Sequence, residues 1–338
     1  HPRVRRQRQM CIRDRDMLNL NDLFLEFNDD LTLKKKYKDL VTTGRNALRN
    51  KIGSKFEENN RKKPKYYMQG SYAMHTAINP EEDEEFDLDD GIYLQGYSDD
   101  RDTWPSTVTV HDWVKKAVDK HTSNDPIDKN TCIRVVYEEK YHIDLPIYIM
   151  GEDDSNNECA YLAHKSKGWV ESDPKAFREW FQECVNENGQ VIRHMVKYLK
   201  AWKMKKGVDV PGMAITILVC NNYLITADRD DVSLLDTITN ILDSLEMEFK
   251  CYKPVTPTDE DLFADYSETK KDNVINSLKT LKSRLNKAIY EEKNEKKATD
   301  LLKKEFGDRF PEGEDKDKSI YDRTSAPIQL GGEDSHFA

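Results

Sequence analysis

The stretch that decides the fold is QGSYAMHTAINP at residues 69–80, followed by FDLDDGIY at residues 86–93. Because side chains alternate between the two faces of a strand, a strand here would project Asp87 and Asp89 from one face. Two close carboxylates repel each other unless cations lie between them, and Mg²⁺ is bound by one or two carboxylates plus substrate phosphates. Gly70-Ser71 supplies a small residue and a hydroxyl where a turn can approach an anion closely. The order predicts a phosphate-binding turn and a metal-binding strand in one site.

Each of these features has an ordinary alternative. A Gly-Ser pair most often forms a turn without a ligand, and an acidic run such as residues 81–85 most often forms a solvated loop. The order of the features favours a site, because the Gly-Ser turn and a short helix-like segment precede alternating carboxylates in an apolar frame. We interpret the acidic run as a solvated loop between the two halves.

Length and composition set the broad class. The chain has 338 residues, enough for a large core and about two domains. Its net charge of −10 does not favour general binding to nucleic acid backbones, although a local basic patch stays open. No apolar run approaches the roughly 20 residues of a membrane span, and the start lacks the apolar region of a signal peptide. We therefore predict a cytoplasmic protein with no membrane partner, whose six unclustered cysteines are reduced and mostly packed.

A lone carboxylate, Asp144, interrupts the apolar stretch at residues 141–150, which otherwise has the pattern of a strand. A buried unpaired charge is costly, so Asp144 needs a partner. A metal shared with Asp87 and Asp89 would supply one, and a neighbouring strand predicted at residues 132–137 makes the adjacency feasible. The alternative is that Asp144 lies at a strand end and faces water.

Helical patterns flank these strands. Apolar spacing predicts one or two helices over residues 19–60, and Ser172-Asp173-Pro174 is typical of a helix start. An apolar stripe over residues 190–205 predicts a helix that is packed along its length and bridges two lobes. Three lysines occupy its other faces: Lys197, Lys200 and Lys203. They are either solvated or include one that reaches a triphosphate.

Five motifs in order resemble the bacterial cyclic GMP-AMP synthase/DncV-like nucleotidyltransferases, the CD-NTase family. They lie at residues 69–80, 86–91, 143–148, 198–202 and 306–311. The resemblance implies an α+β fold. In it, a polymerase-β-like nucleotidyltransferase lobe with a small mixed sheet is joined by a long spine helix to a mainly helical lobe.

The resemblance also implies roles for individual residues. The catalytic and metal-binding residues are Asp87, Asp89 and Asp144, which would hold two Mg²⁺ ions, with Mn²⁺ as a substitute. The nucleotide-binding residues are Gln69, Gly70, Ser71 and Lys200. Two metals would activate the attacking ribose hydroxyl and neutralise the leaving pyrophosphate, and Asp144 is the natural candidate to help deprotonate that hydroxyl.

The chain departs from the family pattern at two positions. His75 stands where many relatives carry glycine, and Pro211-Gly212 stands where a serine often follows the spine helix. Thr216, one turn later, is our hypothesis for the missing hydroxyl contact with the nucleotide. No inserted Cys/His zinc site is present in the sequence, so the DNA sensing of animal relatives is not implied.

The predicted function is synthesis of a cyclic di- or trinucleotide from nucleoside triphosphates, ATP and/or GTP, in an anti-phage (CBASS-type) signalling system. One alternative is linear oligonucleotide synthesis or nucleotide transfer to RNA or protein, and another is a catalytically silent nucleotide-binding scaffold, which the intact carboxylates disfavour. We expect a monomer that requires no DNA, with a regulatory or tail-conjugating protein partner left open.

The sequence divides into four predicted segments. They are a non-native or disordered lead (1–16), a nucleotidyltransferase catalytic lobe (17–190), a helical lobe that closes the nucleotide cleft (191–311) and a flexible tail (312–338).

Overall fold

A computed structural model describes residues 17–81, 85–138, 141–152, 158–224, 228–258 and 260–316. The predicted lead, part of the acidic run, part of the turn between the strands at 132–137 and 141–150, and the tail beyond residue 316 lie outside the described residues. The helices are α1 (Asn21–Leu31), α2 (Lys35–Glu58), α3 (Gly70–Ala73), α4 (Thr107–Val118), α5 (Pro174–Asn188), α6 (Val191–Lys206), α7 (Gly212–Asn222), α8 (Asp230–Met247), α9 (Glu268–Asn286) and α10 (Glu295–Phe306). The strands are β1 (Lys65–Gln69), β2 (Phe86–Leu94), β3 (Ile127–Asp128), β4 (Cys132–Tyr137), β5 (Tyr141–Glu152), β6 (Glu158–His164) and β7 (Gly168–Glu171). A 3-10 turn (Arg101–Thr103) and a π-helical turn (Lys287–Glu291) complete the described elements.

The strands form one mixed sheet. Its main order is β1-β2-β5-β4-β3, with β6 paired to β5 and β7 paired to β6. The central strands β2 and β5 run parallel, and the other pairs are antiparallel. In the parallel register, Asp89 lies opposite Asp144. The predicted α+β fold with a small mixed sheet is therefore confirmed.

The strongly patterned segments fold as predicted. Two helices, α1 and α2, occupy residues 19–60, and the predicted bridging helix is α6. At the start of α5 the Asp173 side chain accepts a hydrogen bond from the backbone N–H of Ala176, at 2.9 Å, as expected of a capping residue. Four strands were not predicted: β1, β3, β6 and β7. The residues of β1 and β7 show no clear alternation of buried and exposed side chains.

Two main hydrophobic cores hold the chain together. The first lies under the sheet and contains Leu88 and Ile143 from the central strands. The second surrounds α6 and also takes in Phe27 of α1, whose ring stacks on Tyr198 at a centroid distance of 5.7 Å. Helix α5 joins the same core through Phe181. Side-chain packing thus places parts of the segment 17–190 in the helical core, so the cores are not contiguous in sequence.

Four cysteines are buried without disulfides, in agreement with the expected packing: Cys132, Cys159, Cys184 and Cys251. Cys220 is half-buried, and Cys11 lies outside the described residues. Among the helices that the structure describes, none combines the length and the apolar character needed to cross a membrane.

Candidate active site

The turn from β1 into α3 lies directly against strand β2. Gly70 has a φ of +67°, a left-handed conformation that favours glycine. A Cβ added to Gly70 would lie 2.1 Å from Oδ2 of Asp89. The structure therefore brings together the two halves that the sequence predicted, with the Asp89 carboxylate packed on the Gly70 backbone.

A cavity of about 490 Å³ opens beside this turn. Seven of the eight predicted site residues line it: Gln69, Gly70, Ser71, Asp87, Asp89, Lys200 and Thr216. Phe177, Met204 and Met213 give it an apolar wall, and Arg178 adds a cation. An apolar concave site with a few convergent polar groups is the usual form of a small-molecule site. Asp144 is absent from the lining.

Negative charge is concentrated at Asp89. Burial, followed by the charges of Asp87 and Asp144, raises the pKa of Asp89 to about 7, against the opposing effect of Arg134 and Lys200. A carboxyl with such a pKa is partly protonated at neutral pH, and a nearby cation would favour its ionised form. Asp87 is exposed on the same face of β2, two residues earlier.

Asp144 has a different partner from the one we expected. Both of its oxygens accept hydrogen bonds from Arg134, from Nε to Oδ1 and from Nη2 to Oδ2, each at 2.7 Å. Lys129 Nζ lies 3.8 Å from the same carboxylate. Burial opposes ionisation, but the hydrogen bonds and charge of Arg134 prevail and hold the pKa of Asp144 below its usual value.

The alternative of a water-facing strand end is wrong, since Asp144 lies inside β5 with its side chain 12% exposed. Sequence reasoning missed Arg134, although the signal was present. Arg134 occurs in the predicted strand at 132–137, and antiparallel pairing places it directly opposite Asp144. Across the described ranges, no three carboxylate, imidazole or thiol side chains converge as a ready-made metal site.

Helix α6 closes the far side of the cavity with Lys200. Its ammonium donates hydrogen bonds to the carbonyl oxygen of Thr76, at 3.1 Å, and to its Oγ1, at 3.2 Å. Burial lowers the pKa of Lys200 to about 8, while the charges of Asp87 and Asp89 act in the opposite direction. The solvated interpretation of the α6 lysines is wrong for Lys197, which is 5% exposed.

Thr216 lies one turn inside α7 and its hydroxyl is already engaged. Oγ1 donates to the carbonyl oxygen of Gly212 at 3.0 Å, an ordinary bond to the preceding turn of the same helix. The side chain lines the cavity, so contact with a ligand through its other atoms stays open to test.

Gln69 lines the cavity and has one buried acceptor that is unsatisfied. Its Nε2 donates to the hydroxyl of Tyr148 at 2.9 Å, whereas its buried Oε1 has no hydrogen-bond partner among the described residues. His75, at the position where many relatives carry glycine, has a φ of +59°. The backbone at His75 is therefore in the left-handed region, which glycine adopts more easily than histidine does.

Comparison with known proteins agrees with this architecture. A family model for the cyclic GMP-AMP synthase DncV-like nucleotidyltransferase domain matches residues 64–148, and a model for the cyclic GMP-AMP synthase C-terminal domain matches residues 189–317. The first match contains the Gly-Ser turn and all three carboxylates, and the second contains Lys200 and Thr216.

Curated relatives share about a quarter of the aligned residues. A cyclic GMP-AMP synthase of Escherichia albertii is 26% identical over 220 residues, which are 59% of this chain and 48% of that protein. A cyclic GMP-AMP synthase of Vibrio cholerae is 25% identical over 243 residues, covering 55% of this chain and 53% of the relative. The chain thus spans about half the length of these relatives.

A solved structure shows the same fold. The Vibrio cholerae DncV cyclic AMP-GMP synthase in complex with nonhydrolyzable GTP superposes with a TM-score of 0.74 at 19% identity, covering 87% of this chain and 97% of that chain. The two family models together match more than half of the sequence, and the solved structure has the same fold. Both comparisons lead to the same assignment. The chain belongs to the family of bacterial DncV-like nucleotidyltransferases, the CD-NTases.

Proposed function

We propose that this chain is an enzyme that joins nucleoside triphosphates into a cyclic di- or trinucleotide and releases pyrophosphate. The observation that carries the proposal is the cavity of about 490 Å³, whose lining combines the Gly70-Ser71 turn, Asp87 and Asp89 with Lys200. Relatives named cyclic GMP-AMP synthase and c-di-GMP synthase support a cyclic product.

Two Mg²⁺ ions, with Mn²⁺ as a substitute, fit the donors of this site. The donors are hard carboxylate oxygens, and the pKa of Asp89 is raised first by burial and then by the charges of Asp87 and Asp144, so a cation there would stabilise the ionised carboxylate. Asp87 and Asp89 would hold the ions, and Asp144 would contribute if it gave up part of its pairing with Arg134. When bound, such ions activate an attacking hydroxyl and neutralise a leaving pyrophosphate.

The chain's own residues supply binding and orientation. Lys200 would exchange its neutral Thr76 acceptors for the donor phosphates, a stronger charge-assisted contact. The missing Cβ at Gly70 makes room for the Asp89 carboxylate, so the turn that would bind the phosphates lies directly against the carboxylate that would bind the metal. Asp144 remains our candidate to help deprotonate the attacking hydroxyl, a role that would require it to give up part of its pairing with Arg134.

For substrates, we propose ATP and/or GTP, with their bases against the apolar wall formed by Phe177, Met204 and Met213. Solved relatives were captured with nonhydrolyzable GTP and with ATP plus GTP, which supports this choice. We further propose that the product is a second messenger of an anti-phage signalling system.

The test is to incubate the protein with labelled ATP, GTP, CTP and UTP plus Mg²⁺ or Mn²⁺, treat the products with phosphatase, and analyse them by mass spectrometry. We expect a phosphatase-resistant cyclic product that the Asp87→Asn/Asp89→Asn variant does not make. A phosphatase-sensitive product would instead identify a linear oligonucleotide synthase. No product with any nucleotide, or equal product from the variant, would overturn the proposal.

A further inference from the structure

Helix α6 carries two buried cations that the proposed reaction does not use. Arg193 and Lys197 are 8% and 5% exposed, and they lie on the same helix face as Lys200, at spacings of four and three residues. Arg193 donates to the carbonyl oxygen of Met74 at 3.0 Å and to the side-chain oxygens of two glutamines, at 2.5 and 2.8 Å. Lys197 Nζ donates to Thr32 Oγ1 at 2.8 Å. All of these acceptors are neutral.

Neither cation forms a salt bridge within the part of the chain that the structure describes. Burial lowers the pKa of Lys197 to about 8, Asp29 and Asp230 raise it from a distance, and Lys38 and Arg193 lower it. Removing a cation from water without a close counter-charge is costly. The arrangement therefore leaves the Lys197 ammonium beside Thr32 without a carboxylate of the described ranges in direct contact.

Thr32, which accepts the hydrogen bond from Lys197, also forms part of the wall of a second cavity of about 140 Å³. We call it the Lys38 cavity; its walls are Thr32, Leu33, Lys38, Tyr72, His75 and Ala77. The exposed ammonium of Lys38 has no hydrogen bond or salt bridge to any described side chain. Burial and then the charges of Arg193, Arg178 and Lys38 lower the pKa of His75, as expected where the potential is positive.

The Lys38 cavity is separate from the catalytic cavity but adjoins it. Ala77 forms part of both walls, and Lys200 holds the neighbouring Thr76 from the catalytic side. At about 140 Å³ it has less than a third of the volume of the catalytic cavity, so it suits a small ion rather than a nucleoside.

We propose that the Lys38 cavity is a binding site for a small phosphate-class oxyanion, held by Lys38 at its wall and by the charge of Lys197. Lys197 is not itself a wall residue, but its ammonium lies 2.8 Å from Oγ1 of the wall residue Thr32, so it acts on the anion through its charge. The negative charge of an oxyanion there would stabilise both lysines. Free phosphate and the pyrophosphate released by the proposed reaction share this chemistry.

The test is isothermal titration calorimetry with inorganic phosphate and, separately, with pyrophosphate. The buffer contains a chelator and is held at constant ionic strength with sodium chloride, because screening alone weakens exposed charge pairs. The variants are Lys38→Gln and Lys197→Met. Lys35→Gln is the matched control, an exposed lysine on the same helix outside the cavity, and Lys200→Gln reports on anions in the catalytic cavity.

We expect at least one of the two anions to bind, about tenfold or more weakly in Lys38→Gln and Lys197→Met, and unchanged in Lys35→Gln. The binding should persist in Lys200→Gln. Affinity unchanged in both cavity variants, loss only in Lys200→Gln, or no binding of either anion would overturn the proposal. A preference for pyrophosphate would identify the reaction product as the ligand.

Thermal unfolding provides a second readout. In phosphate-free buffer, Lys197→Met should be at least as stable as the wild type, because it removes a buried cation without a counter-charge. The rise in Tm on adding the bound anion should be lost. If Lys197→Met does not fold, the exposed Lys38→Gln variant decides the question alone. None of these measurements uses catalysis, so a negative result leaves the proposed function intact.

Discussion

The carboxylate of Asp89 lies so close to the backbone of Gly70 that a Cβ at position 70 would be 2.1 Å from Oδ2. No side chain can occupy that position unless Asp89 moves. The conformation of the Gly70-Ser71 turn and the position of the Asp89 carboxylate therefore depend on each other.

This contact predicts the effect of Gly70→Ala. The variant must bear the strain of a left-handed L-residue, roughly 1–2 kcal/mol, and must also displace Asp89. We expect a larger loss of stability than that strain alone and loss of product formation, measured by urea unfolding and by the product assay. The matched control is Gly207→Ala, where φ is +62° and nothing lies within 4 Å of an added Cβ. Equal losses of stability in the two variants, with activity retained, would contradict the prediction.

The raised pKa of Asp89 predicts a pH dependence of stability. The native state keeps the proton up to a pH of about 7, whereas the unfolded chain releases it near 3.8. Because the native state binds more protons in this window, the contribution of Asp89 to the free energy of unfolding falls as pH rises from about 4 to about 7. In metal-free buffer, the Tm of the wild type should decline relative to Asp89→Asn over this range. Parallel profiles of the two proteins would rule this out.

The Arg134–Asp144 pair predicts a rescue. Arg134→Met leaves Asp144 without its two-bond partner, and breaking a buried pair costs about 3–5 kcal/mol. We expect the free energy of unfolding to fall by about 3 kcal/mol or less. The loss should lie at this lower end because the Arg134 side chain is 24% exposed and Lys129 remains near Asp144. The Arg134→Met/Asp144→Asn double variant should recover most of this in urea unfolding. A double variant as unstable as the single one would show that lost packing, not the unpaired carboxylate, causes the effect.

Lys200 and Lys203 both line the cavity of about 490 Å³. Lys200 lies close enough to Asp87 and Asp89 for their charges to raise its pKa against the effect of burial, whereas the charge that raises the pKa of Lys203 is that of Asp209. Lys203 Nζ donates to the carbonyl oxygen of Val210 at 2.6 Å and is held there. A hydrogen bond to a charged group contributes about 1.5–3 kcal/mol, so Lys200→Gln should raise KM for the nucleoside triphosphate about tenfold or more. Steady-state kinetics should give a clearly smaller change for Lys203→Gln, and the reverse order would refute the assignment of Lys200.

Thr216 should contribute less than Lys200. Its hydroxyl must give up Gly212 before it can donate to a phosphate, and a neutral hydrogen bond contributes only about 0.5–1.5 kcal/mol. We expect Thr216→Val, which keeps the side-chain shape, to raise KM by no more than about threefold. An unchanged KM would remove Thr216 from the proposed nucleotide contacts. A rise in KM as large as that of Lys200→Gln would contradict the expectation that Thr216 contributes less to nucleotide binding than Lys200.

Much of the site region was readable from the sequence because its signals are local. Alternation along residues 87–94 places Asp87 and Asp89 on one face, and the order of the Gly-Ser turn and the strand implies that they meet. The cap at Asp173 and the apolar stripe of α6 are equally local. What the sequence reading missed was β1, β3, β6 and β7; the side chains of β1 and β7 are mostly half-buried and so leave no clear periodicity.

The sequence by itself therefore determined the helices, the central strands and most of the polar residues that line the cavity, whereas the tertiary structure decided the rest of the sheet, the apolar wall and which charges are neutralised. Arg134 pairs with Asp144 because of strand register, and Lys197 is buried against Thr32 although 165 residues separate them. A helix or a strand is set by neighbours within a few residues. The partner of a buried charge depends on segments that come into contact only when the chain folds. A local sequence pattern does not predict such long-range contacts.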